Sequence, residues 1–592
     1  MCGIAGIALK DGHSISEHQK KILLEALHHR GPDGNGSWEN SHVVLLHSRL
    51  SIIDIEGGKQ PLSNDSQQVL IANGEIYNSP ELRHLFKNYI FKTGSDCEVI
   101  LPLWQKFHAD YVNSLRGMYG VAMVDIDEKT LVLSRDPFGI KPLYYASVEQ
   151  GVVFASEAQA IIKAGFVRHD DINQSAVDTL LQLQFIPGYK TIYNNIYRIL
   201  PGETLIIRNG EIIHRQTQSC FPKTRSMITD EKKALNQLDS LLEDSIRIHE
   251  RSDVPFGLFL SSGIDSSIIL KMMQRLGRIN RLHAWTARFE INNDSGYVKD
   301  EALQAALLAK EIGIQHHCVT INQQDVFRHL PKIIACMDDP VADYAIIPTW
   351  FLANEARSIV KVILSGEGGD ELFAGYGRYR KAAKSVWLGG KRLYRKGIFE
   401  RDNLFLHSVS SEWKNYFRLQ YKLQDKNDSR LKNAQKIDMI DWLPNDLLIK
   451  LDRCLMAHSI EGRVPFLDKK IAAFAFNLED HLKIRNGQGK WILRKWLEWQ
   501  FPLAQPFAKK SGFSVPIGLW IEQHANELAQ AVFCQTDIGN KISLSNVRSL
   551  FEKASGRKER FMAWNILFYA IWHQVHIVGK NPLGNVLEVL MD

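Results

Sequence analysis

Apolar residues arrive in short, nearly continuous runs over the first third of the chain, and then the rhythm changes. Residues 4–9, 43–47, 69–72, 120–124, 130–134 and 152–155 are apolar runs of strand length bounded by turn residues, the pattern of buried β-strands. Between the first two, residues 18–29 follow a helical spacing that stops at Arg30-Gly31-Pro32, where glycine and proline end a helix. Many strands with few helices predict a layered α+β domain. From about residue 230, strand and helix alternate. Apolar strands are expected at 254–260, 283–289, 318–321 and 360–364, with helices from Asp265 and over 301–312. Such alternation predicts a parallel sheet with helices on its faces. Beyond about residue 400 the chain reads as mainly helical and aromatic-rich. Residues 216–227 are polar and aperiodic, so the linker is placed there, dividing the chain into domains at 1–215 and 230–592.

Length agrees with a division, since 592 residues exceed one hydrophobic core and predict about two to four domains. Hydrophobic residues at 45% and charged residues at 23% are ordinary for a soluble globular protein. The net charge of +6, from 72 basic and 66 acidic residues, gives no case for nucleic acid or an anionic membrane. No apolar stretch is long enough for a transmembrane helix, and no basic flank with a long apolar core marks a signal peptide. The seven cysteines (2, 97, 220, 318, 336, 454 and 534) are odd in number, widely spaced and without a Cys-x-x-Cys pair. That argues for a reducing, cytoplasmic setting over a disulfide framework or a zinc site.

Two glycine-rich loops carry candidate chemistry. Ser261-Ser262-Gly263-Ile264-Asp265-Ser266-Ser267 lies between an expected strand and helix. Small residues there let the backbone approach a polyanion, and the helix start favours phosphate. Asp265 would repel phosphate unless a Mg²⁺ bridged the two; an ordinary capped strand-to-helix turn fits the local sequence equally well. The second loop, Ser365-Gly366-Glu367-Gly368-Gly369-Asp370-Glu371, follows another apolar strand. Ligands of open parallel sheets bind at the carboxyl ends of strands. Both loops are expected there, so Asp265 and Asp370 could share one metal ion in a Mg-nucleotide site.

The start Met1-Cys2-Gly3-Ile4 adds a third candidate. With Met1 removed, Cys2 would carry a thiol and a free α-amino group. An amine titrating near ~7.7–8.0 can take the proton of a thiol titrating near ~8.5, which joins nucleophile and base on one residue. A buried thiol opening a strand is the bland alternative.

Longer motifs carry a family likeness. Met1-Cys2-Gly3-Ile4, His29-Arg30-Gly31-Pro32-Asp33, Arg49-Leu50-Ser51-Ile52-Ile53-Asp54, Asn73-Gly74-Glu75-Ile76-Tyr77-Asn78 and Gly94-Ser95-Asp96 resemble a class II glutamine amidotransferase domain. The two loops, Lys450-Leu451-Asp452-Arg453 and Arg463-Val464-Pro465-Phe466-Leu467-Asp468 resemble the synthetase domain of the glutamine-hydrolysing asparagine synthetase family. The likeness runs collinearly from residue 2 to roughly 520, and the last stretch carries no motif of the family.

The resemblance implies an N-terminal nucleophile αββα sandwich followed by an α/β parallel-sheet ATP pyrophosphatase domain with a helical C-terminal part. It implies glutamine hydrolysis by Cys2, with Asn73 and Gly74 as oxyanion hole and Arg49, Glu75 and Asp96 holding the substrate together with them. In the synthetase half it implies that Ser261, Ser262, Gly263, Asp265, Ser266, Ser267, Ser365 and Gly366 hold ATP and pyrophosphate. Asp265 and Asp370 would bind Mg²⁺, Glu367 would act as base and Lys490 would stabilise the α-phosphate transition state. Small-molecule partners (glutamine, ATP and aspartate) follow, with a dry ammonia passage between the sites and a homodimer among the assemblies left open. A related reading keeps the chemistry but amidates another carboxylate, such as a sugar uronic acid. A non-catalytic sensor would be expected to have lost Cys2, Asp265, Asp370 or Lys490, and all four are present.

Two positions depart from the family pattern. Ser262 stands where the family usually has glycine, which would cost on the order of 1 kcal/mol if the position needs φ > 0. Arg288 likewise replaces a common glycine, where it could meet an acidic acceptor or point away. The segment Asp339-Pro340-Val341-Ala342-Asp343-Tyr344-Ala345-Ile346-Ile347-Pro348-Thr349 is expected to help shape the acceptor pocket.

Overall fold

The computed structural model describes residues 2–65, 67–222, 226–290, 301–384, 396–400, 404–406, 409–508 and 515–591. Met1 and positions 223–225 of the expected linker lie outside them.

The N-terminal half is two stacked six-stranded antiparallel sheets. The first runs Tyr197–Arg198, Tyr144–Val148, Gly151–Ala155, Gly3–Leu9, Val43–Arg49, Gly34–Glu39, and the second Glu211–Thr217, Glu203–Arg208, Thr130–Arg135, Gly117–Asp125, Gln68–Ile76, Leu62–Ser63. Both faces of the central strands are covered, which is why they read as continuous apolar runs rather than alternating ones. Ile4, Val43, Leu45 and Phe154 of the first sheet meet Val69, Ile71, Ala122 and Leu133 of the second in the inter-sheet core. On the outer faces, Ala5 and Ile7 share a core with Leu23 and Leu27 of the helix Glu17–Leu27, and Leu70 and Ala72 with Leu101 and Trp104 of Ile100–Phe107. The result is the expected αββα sandwich.

The second half is built on five parallel strands in the order Gln315–Ile321, His283–Phe289, Phe256–Phe259, Val362–Leu364, Glu461–Arg463. The chain winds outward from Phe256–Phe259 first to one side and then to the other. The loops after Phe256–Phe259 and Val362–Leu364 therefore open side by side at a switch point, where such sheets bind ligands. Gln315–Ile321 begins earlier than its apolar core suggests, because it is a partly exposed edge strand that tolerates His316 and His317. The C-terminal part is helical, and its longest helix, Glu559–His573, is buried on nearly every side. No described helix is long and apolar enough to cross a membrane.

Candidate active sites

Cys2 lies just before the central strand Gly3–Leu9 and is buried. Burial pushes its thiol pKa up. Its backbone nitrogen donates to Asn73 Oδ1 across 3.1 Å, while Asn73 Nδ2 is buried with no hydrogen-bond partner among the described residues. Asn73 and Gly74 sit on the strand Gln68–Ile76. A Cβ on Gly74 would stand 2.1 Å from the Met118 carbonyl oxygen, so close strand packing demands glycine there.

Glu75, next along, is buried. Burial and then the nearby Asp96 raise its pKa well above the ordinary carboxylate value. Its Oε2 accepts from Arg463 Nη2 at 3.2 Å, whereas Oε1 has no partner among the described residues. Asp96 Oδ2 accepts from the Ile76 backbone at 2.5 Å, and burial raises its pKa. Arg49 ends the strand Val43–Arg49, and its fork donates to the carbonyls of Asp54 and Ile55 at 2.6 and 2.9 Å. The structure thus joins Cys2 to Asn73 by a direct bond and ties Glu75 and Asp96 to one strand end, with Arg49 at the end of a neighbour of the Cys2 strand.

In the second half the two glycine-rich loops pack on each other. A Cβ on Gly369 would lie 2.3 Å from Asp265 Oδ1, and one on Gly366 would lie 2.8 Å from Asp265 Cβ. The Lys490 ammonium bridges them, in contact with Asp265 and 2.8 Å from Asp370 Oδ1. Burial opposes its charge, but the two carboxylates outweigh that and hold its pKa above the ordinary value. Lys490 adopts φ +56 at the head of the helix Trp491–Gln500. Among the described residues no group of three His, Cys, Asp or Glu side chains could hold a metal. Two carboxylates sharing one cation nevertheless fit Mg²⁺, which commonly takes one or two protein carboxylates and completes its shell with phosphate and water.

The serines knit the first loop together: Ser261 Oγ lies 3.0 Å from Ser266 Oγ and accepts from Gly263 N at 3.0 Å, and Ser267 Oγ donates to Gly263 O at 2.8 Å. Ser262 is absent from the positive-φ residues, so the departure from glycine carries no left-handed strain. Arg288 is exposed on its strand. Ser365 N–H donates to the Arg463 carbonyl at 2.8 Å, and Gly366 follows against Asp265. Glu367, its pKa raised chiefly by burial, lies 3.5 Å from Lys450 Nζ. Lys450 also bonds Asp343 Oδ2 at 3.1 Å.

Several interdomain residues sat inside the quoted motifs without a role. Arg30 binds Glu157 at 2.7 Å and Asp452 at 2.8 and 3.1 Å, and reaches the Cys2 carbonyl at 3.3 Å. Arg463 touches both sites at once, its side chain on Glu75 and its carbonyl on Ser365. Asp452 lies 422 positions from Arg30 and Glu75 lies 388 from Arg463, and the local motifs carry no signal of that. Lys450 could have been found as a lysine flanking the same Asp452-Arg453 pair.

Comparison with known proteins agrees with both halves. An asparagine synthase family profile matches residues 237–574, and a glutamine amidotransferase domain profile matches residues 1–218. Asparagine synthetase [glutamine-hydrolyzing] 1 of Bacillus subtilis is 33% identical over 98% of this chain and 97% of its own length. A putative asparagine synthetase [glutamine-hydrolyzing] of Mycobacterium bovis is 32% identical over the same shares. Asparagine synthetase B [glutamine-hydrolyzing] of Escherichia coli is 29% identical over 90% of this chain and 85% of its own. The synthase match runs past the last recognised motif into the buried helix Glu559–His573, so that helix is part of the family fold. With two sites on two matched halves and relatives along nearly its whole length, the chain belongs to the asparagine synthase family and carries a glutamine amidotransferase domain ahead of the synthase domain.

Proposed function

We propose that this protein is a glutamine-dependent asparagine synthetase in which residues 1–215 hydrolyse glutamine and residues 230–592 use ATP to amidate aspartate. The observation that carries the reading is the Cys2–Asn73 pair in one half together with the Asp265–Lys490–Asp370 cluster in the other. After removal of Met1, the nitrogen now bonded to Asn73 Oδ1 is an α-amine beside its own thiol. It takes the thiol proton as Cys2 attacks the glutamine amide and returns it to the nitrogen as the tetrahedral adduct expels ammonia, leaving a thioester on Cys2 that water cleaves to glutamate. The Asn73 side-chain N–H and the Gly74 backbone N–H face the developing oxyanion. Arg49 receives the substrate carboxylate, and the free Glu75 oxygen, with Asp96, receives its ammonium.

In the synthetase half the β-carboxylate of aspartate attacks the α-phosphate of ATP, forming β-aspartyl-AMP and releasing pyrophosphate. Ser261, Ser262, Gly263, Ser266 and Ser267 line the loop for the leaving group, with Ser365 and Gly366 beside the nucleotide. Lys490 steadies charge on the α-phosphate as a point cation. Mg²⁺ held by Asp265 and Asp370 would neutralise the phosphates. Ammonia then attacks the acyl carbon, Glu367 accepts the surplus proton, and asparagine and AMP leave. Glu367 suits that task because burial keeps its pKa raised.

All seven cysteines are free thiols, which suits a cytoplasmic setting. The test is a panel of carboxylates, aspartate and a hexuronic acid included, given with ATP and glutamine and scored by AMP and amide product. Aspartate alone is expected to give both; amide formation on the uronate instead would replace the acceptor and leave the rest standing.

A further inference from the structure

The acceptor-side segment of the synthetase half is gripped from the glutaminase half. Asp339 is fully buried, and Arg198 holds it by a two-point fork, Nε to Oδ2 at 2.5 Å and Nη2 to Oδ1 at 2.7 Å. Tyr144 OH adds a bond to Asp339 Oδ2 at 3.0 Å. The neighbouring Asp338 accepts from the Gln159 backbone at 3.1 Å, and Ala342 exchanges two bonds with Gln184, at 2.7 and 3.2 Å. All four donors or partners precede residue 215. From the synthetase half come Arg453, on Asp338 at 2.6 Å, and the Trp564 indole, on the Ala342 carbonyl at 2.7 Å.

The residue after Ala342 is Asp343. Its carboxylate meets Lys450, which lies 3.5 Å from Glu367. Arg198 itself is locked in place, because its remaining Nη1 donates to the carbonyls of Ile186, Gly188 and Lys190 at 2.7–3.1 Å. A guanidinium so fixed can hold a carboxylate in one position and orientation. The chain of contacts runs Arg198, Asp339, the backbone to Asp343, Lys450, Glu367, and it ends in the site proposed to activate the acceptor.

We propose that Arg198, although part of the glutaminase half, is a positioning residue for the acceptor site of the synthetase half, acting through Asp339 on the segment that presents Asp343. This rests on the proposed amidation chemistry. Asp343, one backbone step from the gripped Ala342, is placed to meet the acceptor's ammonium while Lys450 balances its charge. Loosening the grip moves Asp343 and Lys450 relative to Glu367 and leaves the Asp265–Asp370 loops and Cys2 where they are.

The test uses the full-length enzyme with ammonium chloride in place of glutamine, so that Cys2 is bypassed. Arg198→Lys, Arg198→Met and Asp339→Asn are compared with wild type for acceptor KM, ATP KM and, separately, glutamine hydrolysis. Because small displacements at a reacting centre can cost up to about 100-fold, acceptor KM is expected to rise at least about tenfold in Arg198→Met. The Lys variant should recover part of the loss, the Arg198→Met/Asp339→Asn double variant should lose no more than either single one, and ATP KM and glutaminase rate should hold. Unchanged acceptor KM in a folded variant overturns the proposal, as does an equal impairment of all three readouts (acceptor KM and ATP KM raised, glutaminase rate lowered, by the same factor). If Arg198→Met does not fold, Tyr144→Phe removes only a hydroxyl and should shift acceptor KM the same way by less; no shift there also overturns it. If wild type amidates some carboxylate other than aspartate, the acceptor assignment fails, and the KM of that carboxylate becomes the readout for Arg198.

Discussion

Lys490→Met removes an ammonium that contacts both glycine-rich loops. At 2.8 Å from Asp370 Oδ1, and with an effective dielectric near 20, the gross attraction of that single pair is about 6 kcal/mol before desolvation is charged against it. Most of it cancels against burial of the charges. The part that counts for catalysis is what Lys490 offers a transition state, and losing one preorganised donor of this kind costs roughly 10²–10³ in rate. ATP–pyrophosphate exchange with aspartate should fall by that factor, while glutamine hydrolysis at Cys2 stays at the wild-type rate. A second effect has the opposite sign. Without the ammonium, Asp265 and Asp370 lose a cation that both contact, so a divalent cation no longer competes with it. Titration with Mn²⁺ in the absence of nucleotide, followed by electron paramagnetic resonance, should show tighter binding in the variant than in wild type. Exchange activity surviving at more than about a tenth of wild type, or Mn²⁺ affinity that is unchanged or weaker, would refute the reasoning.

Three further outcomes follow from single residues. Cys2→Ala should abolish glutamine-dependent synthesis and leave ammonia-dependent synthesis intact, measured as asparagine formed with either nitrogen source. Burial lifts the Glu371 carboxyl from 4.5 to about 8, with Asp370 adding to the effect, so the folded protein keeps a proton that the unfolded chain has released. Its contribution to stability is complete below pH 4.5 and declines by about 1.4 kcal/mol per pH unit as pH rises towards 8; Glu371→Gln should flatten the fall in melting temperature over that window. Ser262→Gly should leave pyrophosphate exchange no faster, because Ser262 does not occupy a left-handed conformation.

How far the sequence foretold the structure depended on the range of the interaction. Residues 4–9 and 43–47 announced themselves because their strands are buried on both faces, leaving almost no polar interruption. The strand Gly34–Glu39 gave no such sign: it is an edge strand, largely exposed, and its Gly-Asn-Gly-Ser start reads as a turn. The glycine-rich loops were legible as ligand loops from their strand-loop-helix order, and their meeting over Asp265 follows from two adjacent strands. What stayed hidden is the interface. Arg30 with Asp452, and Arg198 with Asp339, are buried ion pairs 422 and 141 positions apart. Periodicity and spacing describe neighbours along the chain, so contacts that depend on how two domains dock leave no local trace. The pairing of Arg463 with Glu75 joins two motifs that each looked complete alone.

The central claim is that nitrogen released at Cys2 ends in an amide made at the expense of ATP. Amide-¹⁵N glutamine supplied with ATP and aspartate tests it directly when products are read by mass spectrometry. ¹⁵N is expected in the side-chain amide of asparagine, with one AMP and one pyrophosphate for each amide formed. Labelled ammonia accumulating with no labelled asparagine, or ADP appearing in place of AMP, would contradict it.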